Sequence, residues 1–318
     1  MVVELMQTDM TYIYEIYRTG SFSQAARNLS LTQPALSIAV KKAEAAIGMP
    51  LFDRSRQPLV LTEAGEVYIR RVLEIKQIKD NLAKELADLQ EQDTGELHIG
   101  GTQYFNSYVL PGIIQAYGEK YPHVRLTLSE DNSGKIDTWL AEGETDMNFH
   151  SAPWNPHLFQ GKKVFTDELL LAVPRSLVPS TAKCAGLTCR QVAEGRYRQA
   201  DCPVQELAAF RETPFLILTE NNQLRERALA ICKEKGFDPI VHFCCEQLET
   251  SWHFARHGLG AVFVTNLVIT ESMEDRLLYY KLTSSHAIRH FHAITRKHAF
   301  ISRAMRNFVD LVKGARAC

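Results

Sequence analysis

The sequence predicts an α plus α/β chain in three parts: a small helical unit over 1–63, one long helix over 64–93, and a two-lobed α/β domain over 94–318. Three observations carry this. Apolar residues recur at helical spacing from residue 9 to 92, with breaks at Gly20 to Ser23, Ser30 to Thr32 and Gly48 to Thr62. After that last break nothing interrupts the helical pattern until Gly95, where it gives way to short apolar runs alternating with helical segments, the pattern of a parallel sheet. At 318 residues and 45% hydrophobic, the chain is long and apolar enough for more than one core.

In the first part, Ile13, Ile16 and Tyr17 form an inward stripe. Ser23 is placed to cap a short helix containing Ala25, Ala26 and Leu29, and Thr32 to cap the next, with Pro34 in its first turn. The small Ala25 and Ala26 allow close approach of the third helix, whose Ala35, Leu36, Val40 and Ala43 are expected to face back. Gln33, Ser37, Ile38, Lys41 and Lys42 are left on the other side. Gln bonds adenine edges, Ser serves as donor or acceptor, and lysines neutralise phosphates, so this face suits a major groove. The run MPLFDRSRQPLVLT after Gly48 reads as two short strands about a turn, a wing bearing Arg54 and Arg56. From 18 to 61 there are six cations and two anions, although the whole chain is near balance, with 36 Lys+Arg against 37 Asp+Glu. The basic character is local, and the reading is a winged helix-turn-helix.

The segment GSFSQAARNLSLTQPALSIAVKKAEAAIGMPLFDRSRQPLVLTEAG resembles the signature of the LysR family of transcription regulators. The resemblance implies that TQPALS opens a recognition helix, so Gln33, Pro34, Ala35 and Ser37 face double-stranded promoter DNA. It also implies a backbone-contacting wing arginine at Arg54 or Arg56; Ser23, Ile38, Lys41 and Lys42 complete the expected DNA-binding set. Ile38 departs from the family pattern, which places Arg or a similarly polar residue there, and implies one polar contact fewer or an apolar contact with a thymine methyl.

The long helix extends over roughly 29 residues, or ~43 Å at ~1.5 Å per residue. Ile75, Ile78, Leu82, Leu86 and Leu89 are spaced as a coiled-coil seam flanked by charges, which predicts pairing with a second copy. The alternative is a helix packed along its own chain.

Beyond Gly95 come LHIG, a helix near Ser107 to Tyr121, VRLTLSE, a helix near Ile136 to Glu142, and TDMNFH. A second set runs through VFTDELLLAVP, PFLILT, a helix from Gln223 to Lys235, PIVHFC, a helix from Gln247 to His257, and AVFVT. A strand near Arg289 to Thr295 returns to the first lobe before a final helix near Ser302 to Lys313. This order resembles the LysR effector domain, itself similar to periplasmic binding proteins, with a first lobe at about 94–165 and 268–318 and a second at about 166–267. The resemblance implies a small-molecule effector, an organic acid or an amino acid, held between lobes where strand carboxyl ends and helix amino ends meet. The positions it assigns are Thr102, Tyr104, Phe105, Asn132, Ser133, His150 and Ser151 from the first lobe, and Thr219, Glu220, Asn222 and Gln247 from the second. Each Ser or Thr at a helix start is equally well read as a cap. It further implies a homodimer or homotetramer in contact with RNA polymerase.

Rival chemistries are weaker. Cys184, Cys189 and Cys202 lie in a loop longer than the family pattern, at a spacing without paired knuckles, and His253 and His257 stand one turn apart without a third ligand. A thiol- or metal-responsive regulator using these residues is the alternative reading; no metal or cofactor is expected. Peroxide-sensing family members carry a reactive cysteine before a Leu-Arg pair, where this chain has Gln223, while Cys232 fills the partner position. Cys244 and Cys245 are expected as buried thiols. No nucleophile elbow, phosphate loop or dinucleotide fingerprint is present, so an enzyme is not expected. With no signal-peptide pattern in MVVELMQTDM and no apolar stretch of membrane-spanning length, a cytoplasmic protein without a membrane partner is expected.

Overall fold

A computed structural model describes residues 2–56, 58–89, 95–220, 222–269 and 276–315, the first six by backbone alone. The predicted end of the long helix at 90–93, and Cys318, lie outside them. The chain divides into two compact units, Met1–Glu91 and Gln92–Cys318.

The first unit contains α1 (Val2–Thr19), α2 (Phe22–Asn28), α3 (Gln33–Ile47), β1 (Phe52–Asp53), β2 (Val60–Leu61) and α4 (Glu63–Leu89). Its core joins Ile13 and Ile16 of α1, Ala25 and Ala26 of α2, Leu36 and Val40 of α3, and Leu51, Phe52 and Ile69. Two details differ from the sequence expectation. Ser21, not Ser23, caps α2: its side chain accepts from Gln24 N–H, because the helix starts at Phe22 so that its ring meets Phe52 edge-on at 5.8 Å. Ser23 is exposed within the first turn. Ala35 is also exposed, since it is rotated by about 100° from Leu36 and falls outside the stripe Leu36, Val40, Ala43. Gly48 ends α3 at φ 81, a conformation that favours glycine. The hairpin pairs Phe52 with Leu61 and Asp53 with Val60, and α4 approaches it so closely that a Cβ on Gly65 would lie 2.0 Å from Leu51 O.

The second unit contains β3 (Gly95–Gly101), α5 (Gln103–Tyr108), α6 (Leu110–Lys120), β4 (Val124–Glu130), α7 (Ser133–Glu142), β5 (Met147–His150) and β6 (Phe159–Pro174). It continues with α8 (Cys189–Ala193), β7 (Pro214–Leu218), α9 (Gln223–Glu234), β8 (Ile240–Cys245), α10 (Leu248–Arg256), β9 (Ala261–Thr265), β10 (Leu277–Lys281), β11 (Ile288–Arg296) and α11 (Arg303–Gly314). The strand order is β4-β3-β5-β11-β6-β9-β7-β8, with β10 also on β6.

Strand β6 serves two lobes. Its first part, to Glu168, pairs antiparallel with β11; from Leu169 it pairs with β9, and from Leu170 with β10. In the first lobe β11 stands between β6 and the parallel strands β4-β3-β5, and in the second β6 pairs directly with β9 of the parallel set β8-β7-β9. The sequence division put 268–318 in the first lobe. Because Leu277–Lys281 pairs with Leu170–Pro174, this stretch belongs to the second, and the first lobe regains the chain only at β11.

The long segment between β6 and β7 is packed. Leu187, Cys189, Val192, Tyr197, Cys202, Leu207 and Phe210 are buried in the core, and bridges Leu187–Tyr279 and Val204–Lys281 tie it to β10.

Candidate functional site

In the first unit the exposed face of α3 carries Gln33, Pro34, Ala35, Ile38, Lys41 and Lys42, with Ser37 half-buried at its flank. Thr32 caps the helix by accepting from Ala35 N–H at 3.3 Å. Ile38 is 68% exposed, an apolar group presented to water on a helix whose other face is fully committed to packing. The two wing arginines differ. Arg54 is drawn back by Glu44 at 2.9 Å and lies over the Phe22 ring at 5.1 Å, while Glu44 also accepts from Leu51 N–H. Arg56, paired with Asp53 at 3.3 Å, keeps 71% of its side chain exposed and is the less committed of the two. No helix among the described residues is long and apolar enough to cross a membrane.

In the second unit a cavity of about 590 Å³ opens between the lobes. Ten of the eleven sequence-assigned residues line it: Thr102, Tyr104, Asn132, Ser133, His150, Ser151, Thr219, Glu220, Asn222 and Gln247. They converge because each follows the carboxyl end of a parallel strand or opens the next helix. Phe105 does not line it. Its side chain points into the first lobe, fully buried and stacked on Phe149 at 4.7 Å, since its neighbour Tyr104 takes the cleft side of the short helix α5.

The floor holds a group that the sequence reading missed. Arg289, at the start of β11, meets Asp167 of β6 side-on, with Nε donating to Oδ1 at 2.7 Å and Nη2 donating to Oδ2. Tyr104 donates to the same Oδ2 at 2.7 Å, and the guanidinium lies over the Tyr104 ring at 4.7 Å and the Phe291 ring at 5.0 Å. Burial, then the Asp167 charge, push the Tyr104 hydroxyl well above its ordinary value, so it stays a donor. A cation near the start of a strand expected to return into the first lobe was the available signal. His150 is also committed: Nε2 faces Asp137 Oδ1 at 2.9 Å and Nδ1 accepts from Ala152 N–H, an arrangement that assigns the proton to Nε2. At the rim, Gln103 of α5 donates to Glu249 of α10 at 2.9 Å, and Tyr108 donates to its other oxygen, so the two lobes are hydrogen-bonded across the cleft.

Residues 8–66 match the bacterial regulatory helix-turn-helix protein, lysR family, and residues 90–317 match the LysR substrate binding domain. The chain belongs to the LysR family of transcriptional regulators. Among its relatives are the uncharacterized HTH-type transcriptional regulator YcgK of Bacillus subtilis, 28% identical over 95% of this chain and 92% of its own length. A probable RuBisCO transcriptional regulator of Cyanidioschyzon merolae is 26% identical over 91% of each. In fold the regulator is similar to a full-length OxyR variant from Pseudomonas aeruginosa, with TM-score 0.70, 20% identity, and 96% and 94% of the two chains covered. It is also similar to full-length CbnR complexed with its target DNA, with TM-score 0.59, 18% identity, and 97% and 99% covered. The family is one of regulators, not enzymes.

The regulator's cysteines are dispersed through packing. Cys189, Cys202, Cys232 and Cys245 are buried and Cys184 half-buried; burial pushes the Cys232 thiol up to about 12. Cys244 is exposed, contrary to expectation, because β8 is an edge strand with only Cys245 turned inward. His253 and His257 are both exposed. Among the described residues no three His, Cys, Asp or Glu side chains are grouped to hold a metal ion.

Proposed function

We propose that this LysR regulator reads promoter DNA with the exposed face of α3 and the wing, and answers a small polar effector bound between its lobes. The observation that supports it most is the convergence of ten separately assigned residues on one interlobe cavity, in a chain whose recognition helix leaves Gln33, Ile38, Lys41 and Lys42 unpacked. Gln33 and Ser37 are the base-reading pair, with Ser23, Pro34, Ala35 and Ile38 shaping the approach. Lys41, Lys42 and Arg56 neutralise phosphates, and Arg54 stiffens the wing more than it contacts DNA. The bound DNA of CbnR supports the same use of this fold.

Dimer formation through α4 follows from its seam: Ile75, Ile78, Leu82, Leu86 and Leu89 are between 36% and 78% exposed. Two copies hold two recognition helices at a fixed separation and read a two-fold site. A tetramer, contact with RNA polymerase and a cytoplasmic setting complete the reading. The effector, a small organic acid or amino acid, shifts the balance between lobe arrangements by preferring one of them, and α4 carries the change to the DNA-binding units.

A salt titration of binding to genomic fragments tests the DNA half. Each phosphate ion pair contributes roughly 0.9 to the slope of log affinity against log salt. Replacing Lys41 and Lys42 by Ala in both copies of a dimer lowers that slope by about 3–4 and weakens specific and random DNA together. An unchanged slope places the lysines away from the backbone and defeats the reading.

A further inference from the structure

The interlobe cavity is unbalanced in charge. Glu130 and Asp131 stand at the carboxyl end of β4, and Glu220 and Glu246 follow the ends of β7 and β8. Leu218 and Cys245 are paired and Thr219 N–H donates to Cys245 O at 2.9 Å, so Glu220 and Glu246 emerge from adjacent strand ends. All four carboxylates are exposed, two from each lobe; Glu130 accepts one bond from Asn106 and Asp131 accepts from Asn132, and each keeps its second oxygen and its charge. Against them the lining offers one guanidinium, Arg289, and Asp167 already holds it side-on. His150 adds nothing, since Asp137 and Ala152 occupy both ring nitrogens. None of the described lining residues is a lysine.

What positive character remains belongs to backbone. Asn132 and Asn222 cap α7 and α9 with their own side chains, but Gln247 makes no such bond to the nine-residue α10, whose first N–H groups are left for water or a ligand. A simple dicarboxylate or aromatic acid entering here meets four like charges and, among the described lining residues, no free cation to receive it, and like-charge juxtaposition is an efficient means of rejection. An ammonium meets charge-assisted acceptors on both lobes, so its binding also favours the closed arrangement.

Resting on the reading of this cavity as the effector site, we propose that the effector is a small amine-bearing molecule without net negative charge, a basic or neutral amino acid or a short polyamine, its ammonium held among Glu130, Asp131, Glu220 and Glu246. The volume of about 590 Å³ suits such a ligand, lying within the ~300–1,000 Å³ usual for small-molecule sites.

The full chain is titrated by calorimetry, and its melting followed, with the protein amino acids, putrescine and spermidine, and separately with succinate and benzoate. The expected result is saturable binding of at least one amine and of neither acid. Glu220→Gln with Glu246→Gln weakens the amine by about ten- to a hundredfold, the size expected for losing hydrogen bonds to a charged group. The unliganded melting temperature of that variant reports its folding separately. Binding of an acid without any amine, or an amine affinity unmoved by the two substitutions, overturns the proposal. Should an acid bind and lose affinity in Thr102→Ala with Thr219→Ala, the charge assignment fails while the cleft remains the effector site. If neither class binds, both fail.

Discussion

Asp167 has no exposed side-chain surface, yet it accepts from both a guanidinium and a phenol at the cleft floor. Removing one partner of a buried pair leaves an uncompensated charge and costs about 3–5 kcal/mol, whereas a single hydrogen bond is worth about 1–2. Asp167→Ala is therefore expected to destabilise the second unit by about 3–5 kcal/mol and Tyr104→Phe by about 1–2, measured by denaturant unfolding. Equal losses from the two would show that the phenol, not the ion pair, holds the floor. The thiols offer a second check. With its thiol held at about 12, Cys232 is about one part in 10⁴ thiolate at pH 8, where iodoacetamide should modify Cys244 quickly and Cys232 only on unfolding. Peptide mass spectrometry over time reads this, and early labelling of Cys232 contradicts its packing. At this scale the sequence was legible where chemistry repeats with geometry, as in the Thr32 cap, and not where a neighbour decides. Phe22 moved the α2 cap to Ser21, and Tyr104 took the cleft side that Phe105 was expected to share.

Elements were easier to read than residues because a helix stripe or a strand end depends on many side chains at once. Strand β9 spans the predicted AVFVT, and α9 starts at the predicted Gln223. The lobe boundary was not legible, since the partner of β10 lies about a hundred residues away on β6 and no local pattern specifies it. The Cys184–Cys202 segment, whose thiols the sequence offered only as the weaker chemistry, is tied to β10 by two bridges, with Cys189 and Cys202 buried as small apolar groups and Cys184 half-buried. For α4, exposure of the whole seam gives a direct prediction. Leu82→Asp with Leu86→Asp places charges where apolar faces would meet, and sedimentation should find the dimer converted to monomer with its folding retained, because both side chains are already more than half exposed. A dimer of undiminished strength would move the interface elsewhere.

For the whole molecule, the family and its division of labour could be read from one ungapped N-terminal motif, while the effector could not, because cleft residues are set by ligand chemistry rather than by the fold. The two lobes are hydrogen-bonded across their cleft through Gln103, Tyr108 and Glu249, which gives an effector an arrangement to stabilise or release. Everything downstream of that depends on α3 lying against bases. Selection of bound fragments from a random DNA pool, run in parallel with the unaltered chain and with Gln33→Ala plus Ser37→Ala, tests this most directly. The unaltered chain should enrich a two-fold-related motif, and the variant should retain DNA in bulk while losing that motif. Enrichment of the same motif by both proteins would contradict the account.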